Sequence, residues 1–423
     1  MTSEIVIMNR RAIALAADSA VTSSSVRNGQ KQRRYFKGAN KVFELSFHEP
    51  VGIMIFDVAD LHAVPWEVAI KMYRDRLGRT SYPTLTEYAE GLFTFLETHS
   101  GLFPPDRRKE SFRSDSFSAA VAILDDIEDD NLVRSQPDDT SKNAVRPKIL
   151  ANFVNLYAAM PVPTHFSAST ISSAIAAGKN ELEAAIGTLL NARGIIISAA
   201  SISTLAIEAL FKDYKRFLAH TGIVVAGYGR DSHFPSFVQH DVYGLSLGTF
   251  IFDVGIGAAI TTESSSHIQA FAQTDMGWTF MAGISPDVFK EAIDGVRRSL
   301  DATIGRVLGD VGITSLATRQ TIVDDEVKKF TDRMFKIQAE NHYNPLRGVI
   351  SLLPVEEMAD LAETMISLES LKEKVTAPSE SVGGAVDVAL ITRAEGLVWI
   401  RRKHYFDVTL NGRFAERQRQ RMV

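Results

Sequence analysis

Hydrophobic positions along the chain alternate between short runs bounded by turn residues and long stretches with helical spacing. The amino-terminal runs are short, and the polar turn Asn9-Arg10-Arg11 separates the first two. Runs of this length predict β-strands, here at 4–8, 12–17, 41–47 and 51–56. The stretch 22–39 is rich in Ser, Gln, Lys and Arg and is predicted to be a polar surface excursion.

Two long intervals carry apolar residues three and four positions apart, which is the spacing of an amphipathic helix. The first interval predicts helices at 64–77, 84–99, 115–127, 145–159, 168–192 and 199–219. Thr84 is the expected cap of its helix, and the acidic stretch 128–144 is predicted to be a solvated linker. The second interval predicts helices at 273–282, 286–308, 315–340 and 355–374. Pro354 precedes the last one, and Glu356 and Glu357 suit the helix dipole in its first turn.

A second block of strands follows Gly222, and a hairpin closes the chain. The predicted strands are 223–229, 237–242, 246–253, 266–271, 385–392 and 397–402. Strand blocks that alternate with helical blocks predict an α/β (α+β) fold class. We expect a four-layer αββα sandwich of two antiparallel sheets between helical layers.

Composition narrows the classes of function. The 423 residues contain no cysteine, which excludes disulfides, thiolate zinc sites and a cysteine nucleophile. A net charge of −5 provides no field for nucleic acid or an anionic membrane, and the basic tail is expected to be a solvated terminus. The apolar runs 194–207 and 245–260 are too short or too interrupted to span a bilayer. We therefore expect a cytoplasmic protein without nucleic-acid or membrane partners.

No motif calls for a cofactor or a metal. The chain lacks a phosphate-binding G-x-x-x-x-G-K-[ST] loop, and Gly255-Ile-Gly257 lacks the rest of a dinucleotide fingerprint. No G-x-S-x-G elbow is present. His233 and His240 have no acidic or histidine neighbours at metal-ligand spacing, so we expect neither cofactor nor metal.

Thr2 directly follows Met1, and this is the most informative chemical feature of the sequence. After removal of Met1, an amino-terminal threonine carries a nucleophilic hydroxyl and a basic α-amine on one residue. Asp18 and Lys41 follow in order. Taken singly, Asp18 equally suits a turn after a strand, and Lys41 an edge strand. The functional interpretation depends on their joint order.

The stretch 1–60 resembles a proteasome β-type subunit or its bacterial relatives, within the N-terminal nucleophile (Ntn) hydrolases. The resemblance rests on Thr2, Ala16-Ala-Asp-Ser19, Lys41-Val-Phe-Glu44, Gly52–Asp60, Val225–Gly229 and Ser381–Thr392. These pieces occur in the family's order and cover about half of the chain. The separation of Thr2 and Asp18 matches the family's, whereas that of Asp18 and Lys41 is longer by several residues.

The resemblance implies a divergent, bacterial-type member with large insertions. The Ntn-hydrolase core would comprise 1–99, 221–285 and 351–412. The helical insertions would be 100–220 and 286–350, and 413–423 would be the basic tail.

The resemblance also implies roles for individual residues. Thr2 would be the nucleophile, Lys41 would lower the pKa of its amine, and Asp18 would orient Lys41. The backbone N–H of Phe56 aligns with the family's oxyanion donor. The positions that align with the family's substrate pocket are Val21, Ala39, Met54 and Val58. Ser379 and Ser381 are candidates for a supporting hydroxyl.

These roles imply a threonine-type peptidase or amidohydrolase that cleaves an amide bond in a peptide or protein substrate, and a ring-like homo-oligomer. Two departures favour an alternative, a catalytically silent proteasome-like scaffold or binding protein. The family's Gly-Ser-Gly is Ala270-Phe271-Ala272 here, and its Asp and Ser before Gly-Gly are Ser379 and Val382.

Overall fold

A computed structural model describes residues 2–27, 30–246, 249–310, 319–376, 382–407 and 409–421. The strands are β1 (Ser3–Asn9), β2 (Ala12–Ala17), β3 (Ala20–Arg27), β4 (Gln30–Lys37), β5 (Val42–Glu44), β6 (Val51–Asp57), β7 (Asp60–Leu61), β8 (Val64–Pro65), β9 (Thr221–Gly227), β10 (Ser236–Ser246), β11 (Thr249–Ala259), β12 (Ser266–Ala272), β13 (Asp387–Thr392) and β14 (Gly396–Arg401). The helices are α1 (Trp66–Leu77), α2 (Leu85–Thr98), α3 (Pro105–Asp129), α4 (Asn131–Arg134), α5 (Asp139–Ala159), α6 (Ala168–Arg193), α7 (Ala199–Lys212), α8 (Tyr214–Phe217), α9 (Asp275–Ala282), α10 (Pro286–Asp310), α11 (Arg319–Gln338), α12 (Asn344–Ile350), α13 (Val355–Thr376) and α14 (Gly412–Arg421). A π-helical turn, Ala339–Tyr343, joins α11 to α12.

Two five-stranded antiparallel sheets form the centre of the fold. The first sheet has the order β12-β1-β2-β13-β14, and the second has the order β11-β10-β9-β6-β5. Strands β1 and β2 are buried along their whole length. Burial on both faces explains why their sequences are almost continuously apolar instead of alternating.

The strand alternation shows how the layers stack. On β1, Val6 packs in a cluster with Met54 of β6, whereas Ile5 packs against Met358 of α13. Successive side chains of a strand point to opposite faces of its sheet. The first sheet therefore contacts the second sheet on one face and α13 on the other.

The second sheet is covered in the same way. Ile53 and Ile55 of β6 pack with Trp66 of α1 and Tyr88 of α2, on the face opposite to Met54. The layers thus run helix, sheet, sheet, helix, and the predicted αββα sandwich of antiparallel sheets is confirmed.

Helices α3 to α8 build a separate hydrophobic cluster that includes Phe112, Ile123, Ile186 and Phe211. Helices α10 and α11 pack on each other as a pair. No described helix combines the length and the apolar character that crossing a bilayer requires. The domain boundaries stated above stay a prediction.

Two local predictions were wrong. The polar excursion 22–39 contains a hairpin, β3–β4, whose paired residues run from Ala20↔Lys37 to Arg27↔Gln30. Most of the stretch 128–144 is helical, and two of its acids are helix caps: Asp130 accepts a hydrogen bond from Leu132 N and Asp138 from Ser141 N. The basic tail also forms a helix, α14.

Candidate functional site

The register of β1 and β2 brings Thr2 close to Asp18. Glu4 pairs with Ala17, so the residue that follows β2 lies beside the start of β1. Asp18 N donates to Ser3 O over 3.1 Å, and Ser3 N donates to Asp18 Oδ1 over 3.1 Å. Thr2 itself is 4 % exposed and is fixed through its carbonyl, which accepts from Gln273 N at 2.8 Å.

The Asp18 carboxylate is an acceptor for several donors. In addition to Ser3 N, its Oδ2 accepts from Ala20 N at 3.2 Å and from Gly383 N at 2.8 Å. Lys41 Nζ donates to Oδ1. Because an ionised carboxylate has acceptor capacity on both oxygens, this set of donors fits its charged form.

Lys41 lies immediately before β5 and is 3 % exposed. Its Nζ contacts Asp18 and lies 3.4 Å from Glu4 Oε1. A buried ammonium is tolerated only where anions and acceptors offset its lost hydration. The structure thus brings Thr2, Asp18 and Lys41 into one buried cluster, although Asp18 and Lys41 are far apart in sequence.

Glu4 is a member of this cluster that our sequence analysis missed. Its Oε2 accepts a hydrogen bond from Thr2 Oγ1 at 3.2 Å, and its side chain is 0 % exposed. Thr2 and Glu4 are two residues apart, so on an extended chain they share a face. An acid directly before the apolar run Ile5–Met8 was the available signal.

The charge balance at Glu4 is unusual. Burial raises the pKa of Glu4 to about 8, Lys41 opposes this rise, and the neighbouring Asp18 carboxylate adds to it. One ammonium therefore faces two carboxyl groups. Because Asp18 has the larger set of donors, the proton that the cluster retains near neutral pH belongs on Glu4.

Thr2 lines a small cleft with a volume of about 130 Å³. Its lining includes Val21, Ala39 and Val58, which are three of the four predicted pocket residues. Pockets for drug-sized ligands measure about 300–1,000 Å³, so this cleft has room for one side chain of modest size. Met1, whose removal the hypothesis requires, lies outside the described residues.

Met54 does not line the cleft, whereas Phe56 does. Met54 is fully buried in the core between the sheets. The ring of Phe56 stacks on Phe271 at 5.5 Å. Ile55 N donates to Lys41 O, on the side of β6 that faces β5. Because successive N–H groups of a strand point to opposite sides, the N–H of Phe56 points toward β9. The next N–H directed to the Lys41 side belongs to Asp57.

Asp57 ends β6 with φ = 67°, in the left-handed region that a non-glycine residue rarely adopts. Such strain occurs most often at functional sites. Its carboxylate lies 3.3 Å from His220 Nε2 and raises the pKa of that imidazole. Thr2 and Asp57 line the same cleft.

Ser379 and Ser381 lie outside the described residues. The segment that follows them nevertheless reaches the site, because Gly383 N binds Asp18 and Gly383 O accepts from Ser19 N at 3.3 Å. Gly384 has φ = 86°, and a Cβ there would lie 2.4 Å from Ser19 Oγ. The close approach explains the glycine at position 384, and Gly383, with φ = 142°, also has a backbone conformation that favours glycine. Among the described residues, no cluster of His, Asp and Glu side chains is arranged to hold a metal ion.

Comparisons with known proteins place the chain in no family. No protein-family model matches it, and no curated protein matches it. A solved chain described as the Anbu (Gly-1) mutant from Hyphomicrobium sp. strain MC1 aligns over 99 % of this chain and 96 % of its own, with 8 % identity and a TM-score of 0.28. A similarity this low establishes neither a shared fold nor a shared activity.

Proposed function

We propose that this chain is an N-terminal threonine hydrolase that cleaves an amide bond, in a peptide in the first instance, after Met1 has been removed. One observation carries the proposal: Thr2 and Lys41 line one cleft, and buried Asp18 binds both Lys41 and the backbone N–H of Ser3 beside Thr2. Thr2 and Lys41 are also linked through Glu4, which contacts both.

Each residue has a role that its contacts support. Thr2 Oγ1 attacks the carbonyl carbon of the substrate. Lys41 places a positive charge beside the new amino terminus, which disfavours the ammonium form of the α-amine. Asp18 fixes Lys41 and, through Ser3 N, the backbone next to Thr2. The Asp57 N–H is the oxyanion donor, since it points to the Lys41 side of β6.

The cleft selects the substrate. Val21, Ala39 and Val58 offer an apolar surface beside Thr2, and the cleft volume of about 130 Å³ favours a small apolar side chain next to the scissile bond. A peptide or protein substrate would leave its remaining residues outside this cleft. A ring-like homo-oligomer belongs to the same proposal.

The test combines amino-terminal sequencing with intact-mass measurement after incubation with a peptide epoxyketone, which reacts with an amino-terminal threonine. We expect a chain that begins at Thr2 and gains one adduct. Thr2→Ala should gain none. Ser3→Ala is the matched control, because it removes the adjacent hydroxyl and should keep the adduct. A chain shown to begin at Thr2 that gains no adduct would favour the catalytically silent scaffold instead.

A further inference from the structure

Glu4 has contacts that the proposed mechanism does not use. Its carboxyl group is completely buried, and its Oε2 is the acceptor for the hydroxyl of Thr2 at 3.2 Å. We propose that Glu4, and not the α-amine of Thr2, is the general base that takes the proton of the Thr2 hydroxyl. This inference rests on the proposed function, because it requires Thr2 to be the nucleophile.

The geometry meets the first requirement of a general base. A base must lie within hydrogen-bond reach, about 2.6–3.2 Å, of the proton that it removes. The Thr2–Glu4 contact, at 3.2 Å, lies at the upper end of this range, and the hydroxyl donates to Glu4 Oε2. Thr2 lines the cleft, whereas Glu4 lies behind it in the space between the sheets. Substrate can therefore reach the hydroxyl without displacing the base.

The surroundings of Glu4 suit proton exchange near neutral pH. The charged groups that face it are Lys41, from the segment before β5, and Asp18, from the end of β2. Its partners across the sheet, Ala17 on β2 and Phe271 on β12, carry no charge. Burial raises the pKa of Glu4 to about 8. A base whose pKa lies near the working pH transfers protons most effectively.

The proton movements balance in both halves of the reaction. As Thr2 Oγ1 bonds to the substrate carbonyl carbon, its proton passes to Glu4, and the carbonyl π electrons move to the oxygen. When that carbonyl re-forms, the C–N bond breaks, and the Glu4 carboxylic acid supplies a proton to the leaving nitrogen. Water then bonds to the acyl carbon and passes a proton to Glu4. The bond between this carbon and Thr2 Oγ1 breaks, Glu4 returns the proton to Oγ1, and the carboxylic acid product leaves.

The test follows the rate at which a β-lactone acylates the hydroxyl of Thr2 between pH 6 and pH 9, by intact mass. Glu4→Gln keeps the size and the acceptor oxygen of the side chain but cannot take a proton. We expect it to slow acylation at pH 8 by about 100-fold or more and to abolish the rise of the rate with pH. Glu4→Asp should keep the rise at a reduced rate.

Glu369→Gln is the matched control. Glu369 is also a buried glutamate with a raised pKa, but it lies on α13 and binds Met276 N. Its replacement should leave the rate and the pH profile unchanged. A Glu4→Gln protein that is acylated like the wild type, while Thr2→Ala is not, would overturn the role of Glu4 and leave the proposed function intact. Wild-type protein that begins at Thr2 and is never acylated would overturn both.

Discussion

Replacement of Glu4 by glutamine should change how the stability of the protein depends on pH, independently of any catalytic activity. The folded-state pKa of Glu4, about 8, lies above the value of 4.5 for an exposed glutamate. The folded protein therefore holds a proton between these pH values that the unfolded chain has released. By linkage, the free energy of unfolding falls as pH rises through this window.

The magnitude follows from the two pKa values. Within the window, each pH unit lowers the free energy of unfolding by about 1.4 kcal/mol relative to a chain without this group. The contribution of Glu4 is fully present below about pH 4.5 and is lost by about pH 8. The accumulated loss is on the order of 5 kcal/mol. Glu4→Gln has no ionisable group at this position and should not show this loss of stability.

The assay is urea denaturation of wild type and Glu4→Gln at steps from pH 4.5 to pH 9, followed by tryptophan fluorescence. Trp66 is fully buried between α1 and the second sheet, so its emission reports on the sandwich. The stability of Glu4→Gln relative to wild type should rise up to about pH 8 and then level off. Glu90→Gln, at an exposed position of α2, is the control. A difference in the free energy of unfolding between wild type and Glu4→Gln that stays constant with pH would refute the assignment of the retained proton to Glu4.

Three further predictions concern the same region. Lys41→Met should lower the free energy of unfolding, measured by urea denaturation, by about 3–5 kcal/mol, because it leaves two buried carboxyl groups without their cation. We expect a smaller loss of stability at neutral pH than at pH 9. The reverse order would contradict the charge balance. Gly222→Ala should lower the free energy of unfolding by about 1–3 kcal/mol, because its Cβ would lie 1.9 Å from Cζ of Phe56. In a double-mutant cycle, Gly222→Ala should have a much smaller effect when Phe56 is already alanine. Equal effects in the two backgrounds would contradict this contact. Asp57→Asn should lower the pKa of His220, because the hydrogen bond that the imidazole donates to the Asp57 carboxylate raises this pKa. NMR titration of the ring protons measures it, and an unchanged titration would exclude the pair.

Much of the sandwich could be predicted because its strands are buried on both faces. β1 and β2 have apolar side chains toward both the second sheet and α13, so their sequences form runs that periodicity detects. The β3–β4 hairpin could not be found in this way. Its ladder consists of backbone hydrogen bonds, which polar residues form as well as apolar ones, and its composition is typical of a loop.

Helix starts within charged sequence were missed for a related reason. The acids of 128–144 were interpreted as solvated residues, whereas Asp130 and Asp138 bind backbone N–H groups that would otherwise lack partners. An acid at a helix start and an acid in a linker look alike in composition. Only the position of the next apolar residues distinguishes an acid at a helix start from an acid in a linker. Here those apolar residues contact other helices of the cluster.

The site shows that resemblance alone does not determine which residues of a strand reach the site, because side chains and N–H groups alternate along the strand. Motif order was sufficient to predict that Thr2, Asp18 and Lys41 lie close together, because the register of β1 with β2 and the start of β5 bring these three together. The role of Met54 depends on which face of β6 its side chain occupies, and the role of Phe56 depends on the side of the strand to which its N–H points.

A shift of one residue along a strand exchanges the two faces, and the N–H groups alternate in the same way. The bond from Ile55 N to Lys41 O fixes that alternation, and by the same alternation we expect the N–H of Asp57 on the Lys41 side of β6. The same rule places Glu4 beside Thr2, since two residues on an extended strand share a face. Both conclusions require only the register of the strands, and neither requires a relative of known structure.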